Sequence, residues 1–525
     1  MRHAARRTLP WLAALLAACA TGPLRPSTGL ECRAGEPTKW ARYDAPGVTV
    51  VTELDELLAR ELTAGLEQTR EALRASVFKN LPPVHVRVYA VPFALPAYAY
   101  YTTIDQGVLA HYLSFSYAAT SDDEVVIVMQ LRGSDPRANV MKPKGLDTRE
   151  RLYANYALAY VLTHLAIPAP PPWLSRGLAT YLEATRVEAD TAWVGVPNEE
   201  TLDLKRYAEL FPTQELLALS MCDVFDLART QGGPRVVGFY YQSFMLTHLL
   251  ATTRTAAFND YLKRLAGDQE PGAAWSAAFP DLAPGKTEGL EKLDAQLKQY
   301  TRRERYQALG YPVELESFTV ARAPLSCVDA RAARLALYRG IDLRDPYDRE
   351  ANELLLVSPG HAAALVAKAE LAGPEGVATA ARLAVEKGPG DARAWVLLAA
   401  ALPAGAERDA ATDKAVALGK GDPVVELRAA ELRLEMGRPA DAAALATSVV
   451  KGVPWSVRGN LTLARALAAQ GQCPAARAAL ARAEACHTRR CPDRPPEPQA
   501  PEHLSAPPRE ALSAARTEVS ACRAR

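Results

Sequence analysis

Residues 160–183 read YVLTHLAIPAPPPWLSRGLATYLE, and the organisation of the chain turns on this stretch. From Leu152 to Ser175 there is no charged residue, a run long enough to raise the question of a membrane span, which needs about 20 apolar residues. Asn155, Thr163 and His164 lie inside it, and Pro168, Pro170, Pro171 and Pro172 interrupt it. Proline within a helix removes a backbone donor and clashes with the preceding turn. The pattern therefore predicts a core helix ending near Ile167, a proline-rich loop, and a second helix from Trp173 to Arg186.

Upstream, a strand is expected at Val48, then a helix from Leu54 to about Ser76 with Leu57, Leu58, Leu62 and Leu66 at helical spacing. The run VHVRVYAV alternates, with Val84, Val86 and Val88 on one face and His85, Arg87 and Tyr89 on the other. It reads as a strand over Val84–Val91. A second strand-like run, Glu124–Gln130, follows an aromatic segment around Tyr98 to Tyr117, and no strand is expected in the next 170 residues or so. Downstream, helices are expected at Thr213–Leu219, Pro234–Thr253, Ala256–Ala266 and Thr287–Arg305. A Gly- and Pro-bearing stretch with strand character near Gly310–Pro324 breaks the series and marks a boundary.

Beyond that boundary the chain repeats itself. Leu427 and Leu461, Ala430 and Ala464, Gly437 and Gly471, and Ala442 and Ala476 are each 34 residues apart. Pro423 and Pro454 head the two units, and Pro359 and Pro389 head looser ones. A helix pair of this length, with small residues where the helices cross, resembles the tetratricopeptide repeat. Such a pair cannot bury its apolar side alone, so repeats stack into a solenoid whose concave face commonly binds peptides.

The first residues carry Arg2, Arg6 and Arg7, a short apolar run from Leu9 to Ala18, and Leu16-Ala17-Ala18-Cys19. This is the layout of an export signal, too short to remain as a spanning helix. LAAC resembles the lipobox of bacterial lipoproteins, which implies cleavage before Cys19, lipid on that cysteine, and, with Ala20 following, attachment to the periplasmic face of the outer membrane. Seven other cysteines remain, Cys32, Cys222, Cys327, Cys473, Cys486, Cys491 and Cys522, and an oxidising compartment favours disulfides among them. At least one bridge is expected within Cys473, Cys486, Cys491 and Cys522. Cys473 and Cys486 flank one helix too far apart to pair, and Cys522 is expected to reach Cys486 or Cys491. With 61 basic and 60 acidic residues the net charge is +1, which gives no electrostatic case for nucleic acid as a partner.

Pro171, Trp173, Leu174, Gly177, Leu178, Ala179 and Tyr181 resemble the motif P-x-W-L-x-E-G-L-A-x-Y of gluzincin zinc metallopeptidases of the peptidase MA-like kind. There it follows an HExxH helix. The resemblance covers about Val48–Arg305 and includes the later Tyr240-Tyr241-Gln242-Ser243. It implies two zinc-binding histidines, a glutamate base between them and a glutamate ligand on the next helix. In this chain Tyr160 stands at the first histidine, Val161 at the base, His164 at the second histidine and Arg176 at the third-ligand glutamate. No other His-x-x-x-His occurs. No catalytic residue, metal or cofactor is therefore assigned. Arg176 and Glu183 share a helix face, so an internal ion pair and a solvated arginine both remain open.

The expected architecture is an α+β N-terminal gluzincin-like domain followed by an all-α tetratricopeptide-like solenoid. The divisions are a signal peptide (1–18), a tether (19–46), a peptidase-like domain (47–308), a linker (309–327), repeats (328–488) and a Pro-rich tail ending in a short helix (489–525). The expected function is a non-catalytic envelope lipoprotein that binds a protein or peptide on its repeats. Two other readings are a hydrolase with an altered site around His164 and the tyrosines, and a pure scaffold.

Overall fold

Strand β1 (Pro37–Asp44) puts Trp40 on one side and Ala41 and Tyr43 on the other, and all three are buried. That double-sided burial sets the architecture. The computed structural model describes residues 30, 32–92, 116–120, 125–131, 148–220, 222–224, 227, 233–283, 285–302, 306–340, 344–373, 376–488 and 509–523. Cys19 with the whole signal segment, most of the aromatic segment, Cys491 and residues 489–508 of the tail lie outside them.

The main sheet has the order β4-β5-β3-β2-β1-β9, with β2 (Val48–Thr52), β3 (Val86–Pro92), β4 (Ser116–Thr120), β5 (Val125–Leu131) and β9 (Ala321–Ser326). Strands β2, β3 and β5 run parallel, while β4, β1 and β9 pair antiparallel to their neighbours. One face, with Tyr43, Val50, Val86, Val88, Ile127 and Met129, shares a core with helices α1 (Glu56–Ser76) and α2 (Thr148–Ala166). Asp55 caps α1 by accepting from the Leu57 N–H at 3.0 Å. The other face, with Trp40, Val51, Tyr89, Val91, Val126 and Val128, packs on α10 (Cys327–Gly340) and α11 (Arg344–Val357). A sheet covered on both faces needs apolar residues in both phases of the strand, which is why the residues from Val125 to Met129 are an unbroken apolar run.

Three expectations are corrected here. The tether does not extend to residue 46, because Pro37–Asp44 forms β1 inside the sheet. The segment 309–327 is not a free linker. Its β8 (Leu309–Pro312) pairs with the hairpin β6 (Arg186–Glu188) and β7 (Thr191–Val194), and its β9 pairs with β1. That hairpin also shows that strands do not stop at β5. Strands β6, β7 and β8 are short and β9 lies at an edge, while β1 and β9 find each other across nearly the whole front half of the sequence, so local patterning carries little signal for them.

After α3 (Pro172–Glu183), two short helices, α4 (Glu199–Asp203) and α5 (Thr213–Ala218), lead to α6 (Gly233–Thr253). Then come α7 (Thr255–Ala266), α8 (Pro271–Ala278) and α9 (Thr287–Tyr300). The repeat region begins with α10 and α11 and continues as antiparallel pairs: α12 (Ala362–Leu371) with α13 (Val377–Lys387), α14 (Ala392–Ala401) with α15 (Ala406–Leu418), α16 (Pro423–Glu435) with α17 (Pro439–Gly452), and α18 (Val457–Ala469) with α19 (Cys473–Thr488). Helix α20 (Arg509–Ser520) caps the stack. Gly437 and Gly471 end α16 and α18 with φ of 71° and 75°. In each case the following residue's N–H returns to a carbonyl five residues back, Arg438 to Arg433 and Gln472 to Leu467. This is the left-handed cap that glycine provides at low cost, recurring at the 34-residue period.

Both ends of the array seat on the front half. At the far end, Trp455, Val457, Leu461, Ala483 and Cys486, with Leu512 and Ala515 of α20, belong to the same buried core as α2, α3 and α6. Arg482 of α19 pairs with Asp268 beyond α7, with Nε 2.9 Å from Oδ1. The buried Cys486 Sγ lies 3.8 Å from the Pro168 carbonyl oxygen in the proline loop.

Disulfides join Cys32 to Cys327 and Cys473 to Cys522, and Cys222 is also disulfide-bonded. A bridge within the C-terminal cysteines was expected, but Cys522 takes Cys473 rather than Cys486 or Cys491. The cause is direction. Helix α20 runs antiparallel to α19, pairing Arg516 with Glu484, so its end arrives at the start of α19.

Candidate functional site

Helices α2 and α3 form the hairpin that the PAPPP loop dictates. Pro172 occupies the first turn of α3, where its missing N–H would have had no partner. Trp173 anchors the hairpin, stacked on Tyr261 at 6.2 Å and edge-on to Trp275 at 5.9 Å. Gly177 lets α6 approach: a Cβ there would lie 2.1 Å from Thr247 Oγ1 and 2.4 Å from the Ser243 carbonyl oxygen. The glycine of the RGLA motif is thus required by packing.

This hairpin brings Tyr160, His164 and Arg176 together, while Val161 points into the apolar core and is fully buried. Tyr156, Tyr160 and His164 recur every four residues and share one face of α2. The Tyr160 and His164 rings are 4.1 Å apart. His164 Nδ1 lies 2.8 Å from the Tyr160 carbonyl oxygen, so this nitrogen carries the proton and donates. Nε2 then accepts from Ser175 Oγ at 3.4 Å. Trp455, entering from the repeat array, meets the imidazole edge-on at 6.3 Å.

Arg176 does not pair with Glu183. Its guanidinium lies 5.2 Å from the Tyr160 ring centre and 5.4 Å from that of Tyr240, and NH1 donates to the Tyr156 hydroxyl at 2.9 Å. Burial raises the Tyr156 hydroxyl above its ordinary range, with Arg176 pulling in the opposite direction. The Glu183 carboxylate instead accepts from Asn198 Nδ2 and from Thr201 Oγ1. Zinc of the HExxH kind does not fit these residues. Three protein ligands are needed, and the cluster offers one imidazole whose Nε2 faces Ser175, with a cation beside it. Among the described residues, no group of three or more His, Cys, Asp or Glu side chains is placed to hold a metal, and no helix is long and apolar enough to cross a membrane.

His248, on α6, is a separate and fully satisfied group. Its Nε2–H donates to the Gly195 carbonyl at 2.8 Å, and Nδ1 accepts from the Tyr300 hydroxyl at 2.8 Å. Burial lowers its pKa and keeps the ring neutral. It is a core histidine.

Two members of the Arg176 cluster escaped the sequence reading. Tyr156 was within reach of it, one turn before Tyr160 on the same face. Trp455 was not, because it lies almost 300 residues away and its contact depends on how the array docks.

Residues 414–491 match the tetratricopeptide repeat family. The matched span runs from within α15 through α19. The C-terminal region is therefore helical and carries a tetratricopeptide-repeat match over these residues, a class of repeat that generally mediates binding to protein partners. No curated protein matches the chain.

Proposed function

We propose that this protein is a non-catalytic cell-envelope lipoprotein that binds a protein or peptide partner, built from a repeat array and a front domain on the gluzincin peptidase plan whose metal site is gone. The observation that carries this reading is the Arg176 cluster. Where the motif would place a zinc-binding carboxylate, a guanidinium stands among Tyr156, Tyr160 and Tyr240. The repeat match supports partner binding. The alternative, a hydrolase with an altered site around His164 and the tyrosines, is less well supported, because both ring nitrogens of His164 are engaged: Nδ1 lies 2.8 Å from the Tyr160 carbonyl oxygen and Nε2 3.4 Å from the hydroxyl of the buried Ser175.

Metal analysis after dialysis tests the reading. The unmodified protein is expected to hold no stoichiometric zinc and to show no peptidase activity that a chelator abolishes. The triple change Tyr160→His, Val161→Glu and Arg176→Glu should introduce weak zinc binding, since it restores two histidines at helical spacing and a carboxylate on the facing helix. Stoichiometric zinc in the unmodified chain would refute the proposal.

The envelope location rests on LAAC and the disulfides. Lipid on Cys19 would supply the membrane anchor, two or more acyl chains being enough for stable attachment. Cys19→Ser is expected to move the protein out of the membrane fraction or leave the precursor uncut; unchanged retention would argue for a different anchor.

A further inference from the structure

A guanidinium taken out of water normally has a carboxylate beside it, because an unpaired buried charge is costly. Arg176 has none among the described residues. Burial disfavours its charge, and the groups that the guanidinium meets are Tyr156, Tyr160 and Tyr240. One N–H of NH1 is used by the Tyr156 hydroxyl, and Nε is buried without a hydrogen-bond partner. The two flanking rings attract the cation through their faces, which holds the guanidinium in place without neutralising it. Tyr156, Tyr160, Arg176 and Tyr240 are each partly exposed.

Elsewhere in the chain, buried arginines are treated differently. Arg331 and Arg334 share Glu350, Arg433 is held by Asp409 and Asp413, and Arg70 by Glu67 and Glu71. Arg176 departs from this pattern, and it does so where α2, α3 and α6 meet. A positioned cation with unused donors, walled by aromatic rings, is complementary to a planar anion carrying an apolar neighbour.

We propose that Arg176 is the centre of a carboxylate-binding site. The guanidinium would donate two parallel N–H bonds to the carboxylate, a geometry its planar fork suits, and the Tyr160 and Tyr240 rings would contact the residue that bears it. A peptide C-terminus and a free small carboxylate share this chemistry. The inference deepens the reading of the protein as a non-catalytic binder and rests on it.

Calorimetric titration of the full-length protein tests the site, using N-acetyl-Ala-Ala-Phe with a free C-terminus, the same peptide amidated, and sodium acetate. The free acid is expected to bind saturably and at least about tenfold more tightly than the amide, the scale of losing a charge-assisted hydrogen bond. Arg176→Met, which keeps the apolar stem, should remove that preference. Its melting temperature should stay level or rise, because an unpaired cation is gone. Arg176→Lys keeps the charge but loses the fork, so it should bind the acid more weakly than the wild type, and it decides the matter if the methionine variant does not fold. Acetate competing as strongly as the peptide supports the site and assigns it to small carboxylates; weak competition supports it and assigns it to peptide ends. Equal binding of acid and amide, no saturable binding, or an unchanged preference in both variants overturns the proposal. A protein with neither zinc nor carboxylate binding would lose this inference and keep the non-catalytic reading, whereas bound zinc would remove both.

Discussion

Replacing Cys32 and Cys327 together by alanine should lower the apparent melting temperature by several degrees, the counterpart of a loss on the order of 5 kcal/mol at most. The two residues are 295 apart in sequence, so the bridge closes a loop containing the whole front half of the chain. In the chain-entropy account a cross-link stabilises by restricting the unfolded state, and the effect grows slowly with loop length. Folded geometry adds little to this, because β1 and β9 are already paired and the Cys327 N–H donates to the Glu36 carbonyl at 3.0 Å. Unfolding the wild type in the presence of a reductant should lower the melting temperature at least as far, since Cys473–Cys522 and the bridge at Cys222 are reduced as well, and the alanine variant should respond less to that reductant. An unchanged melting temperature would mean that the sheet and the first repeat pair hold the junction without covalent help.

That junction also shows where the sequence was readable and where it was not. Helices α2 and α3 were legible because the absence of charge, the proline cluster and the Trp173 motif all point to one hairpin. The last repeat pairs were legible because Gly437 and Gly471 mark helix ends that need a left-handed residue, and they recur at a fixed period. Strand β1 was obscured by Lys39, Arg42 and Asp44, which read as solvated linker, although Arg42 and Asp44 pair with each other at the surface. Its partner β9 is supplied by the far side of the front half, and no local pattern announces a contact of that range. The second layer over the sheet was hidden for a related reason. Tyr89 alternates with Val88 as though facing water, yet α10 and α11 cover that face. At the site, convergence of Tyr160, His164 and Arg176 was implied by the resemblance to the peptidase motif, whereas the choice left open for Arg176 between Glu183 and solvent went to neither, since tyrosines surround it.

Glu350→Ala should destabilise the protein by about 3–5 kcal/mol, the usual result of removing one partner from a buried ionic group. Glu350 on α11 accepts from Arg331 NH1 at 3.1 Å and lies 3.0 Å from Arg334 NH2, and each of these side chains is less than a tenth exposed. Burial pushes the Glu350 carboxyl above its ordinary range even though both guanidinium groups pull it down. Desolvation thus opposes the attraction, and a buried ionic group of this kind is not by itself expected to add stability. Alanine nevertheless makes matters worse, because Arg331 and Arg334 would remain buried beside the sheet with no carboxylate between them; Arg331 would keep only its contacts with the Leu30 carbonyl and the more exposed Glu353. Replacing all three by apolar residues of similar volume, Arg331→Met, Arg334→Met and Glu350→Leu, should by the same reasoning be close to neutral or stabilising. Chemical denaturation of the two variants separates these cases. A triple variant as unstable as Glu350→Ala would show that the ions are needed to dock the first repeat pair on the sheet, and a stable Glu350→Ala would show that water or rearrangement satisfies the arginines.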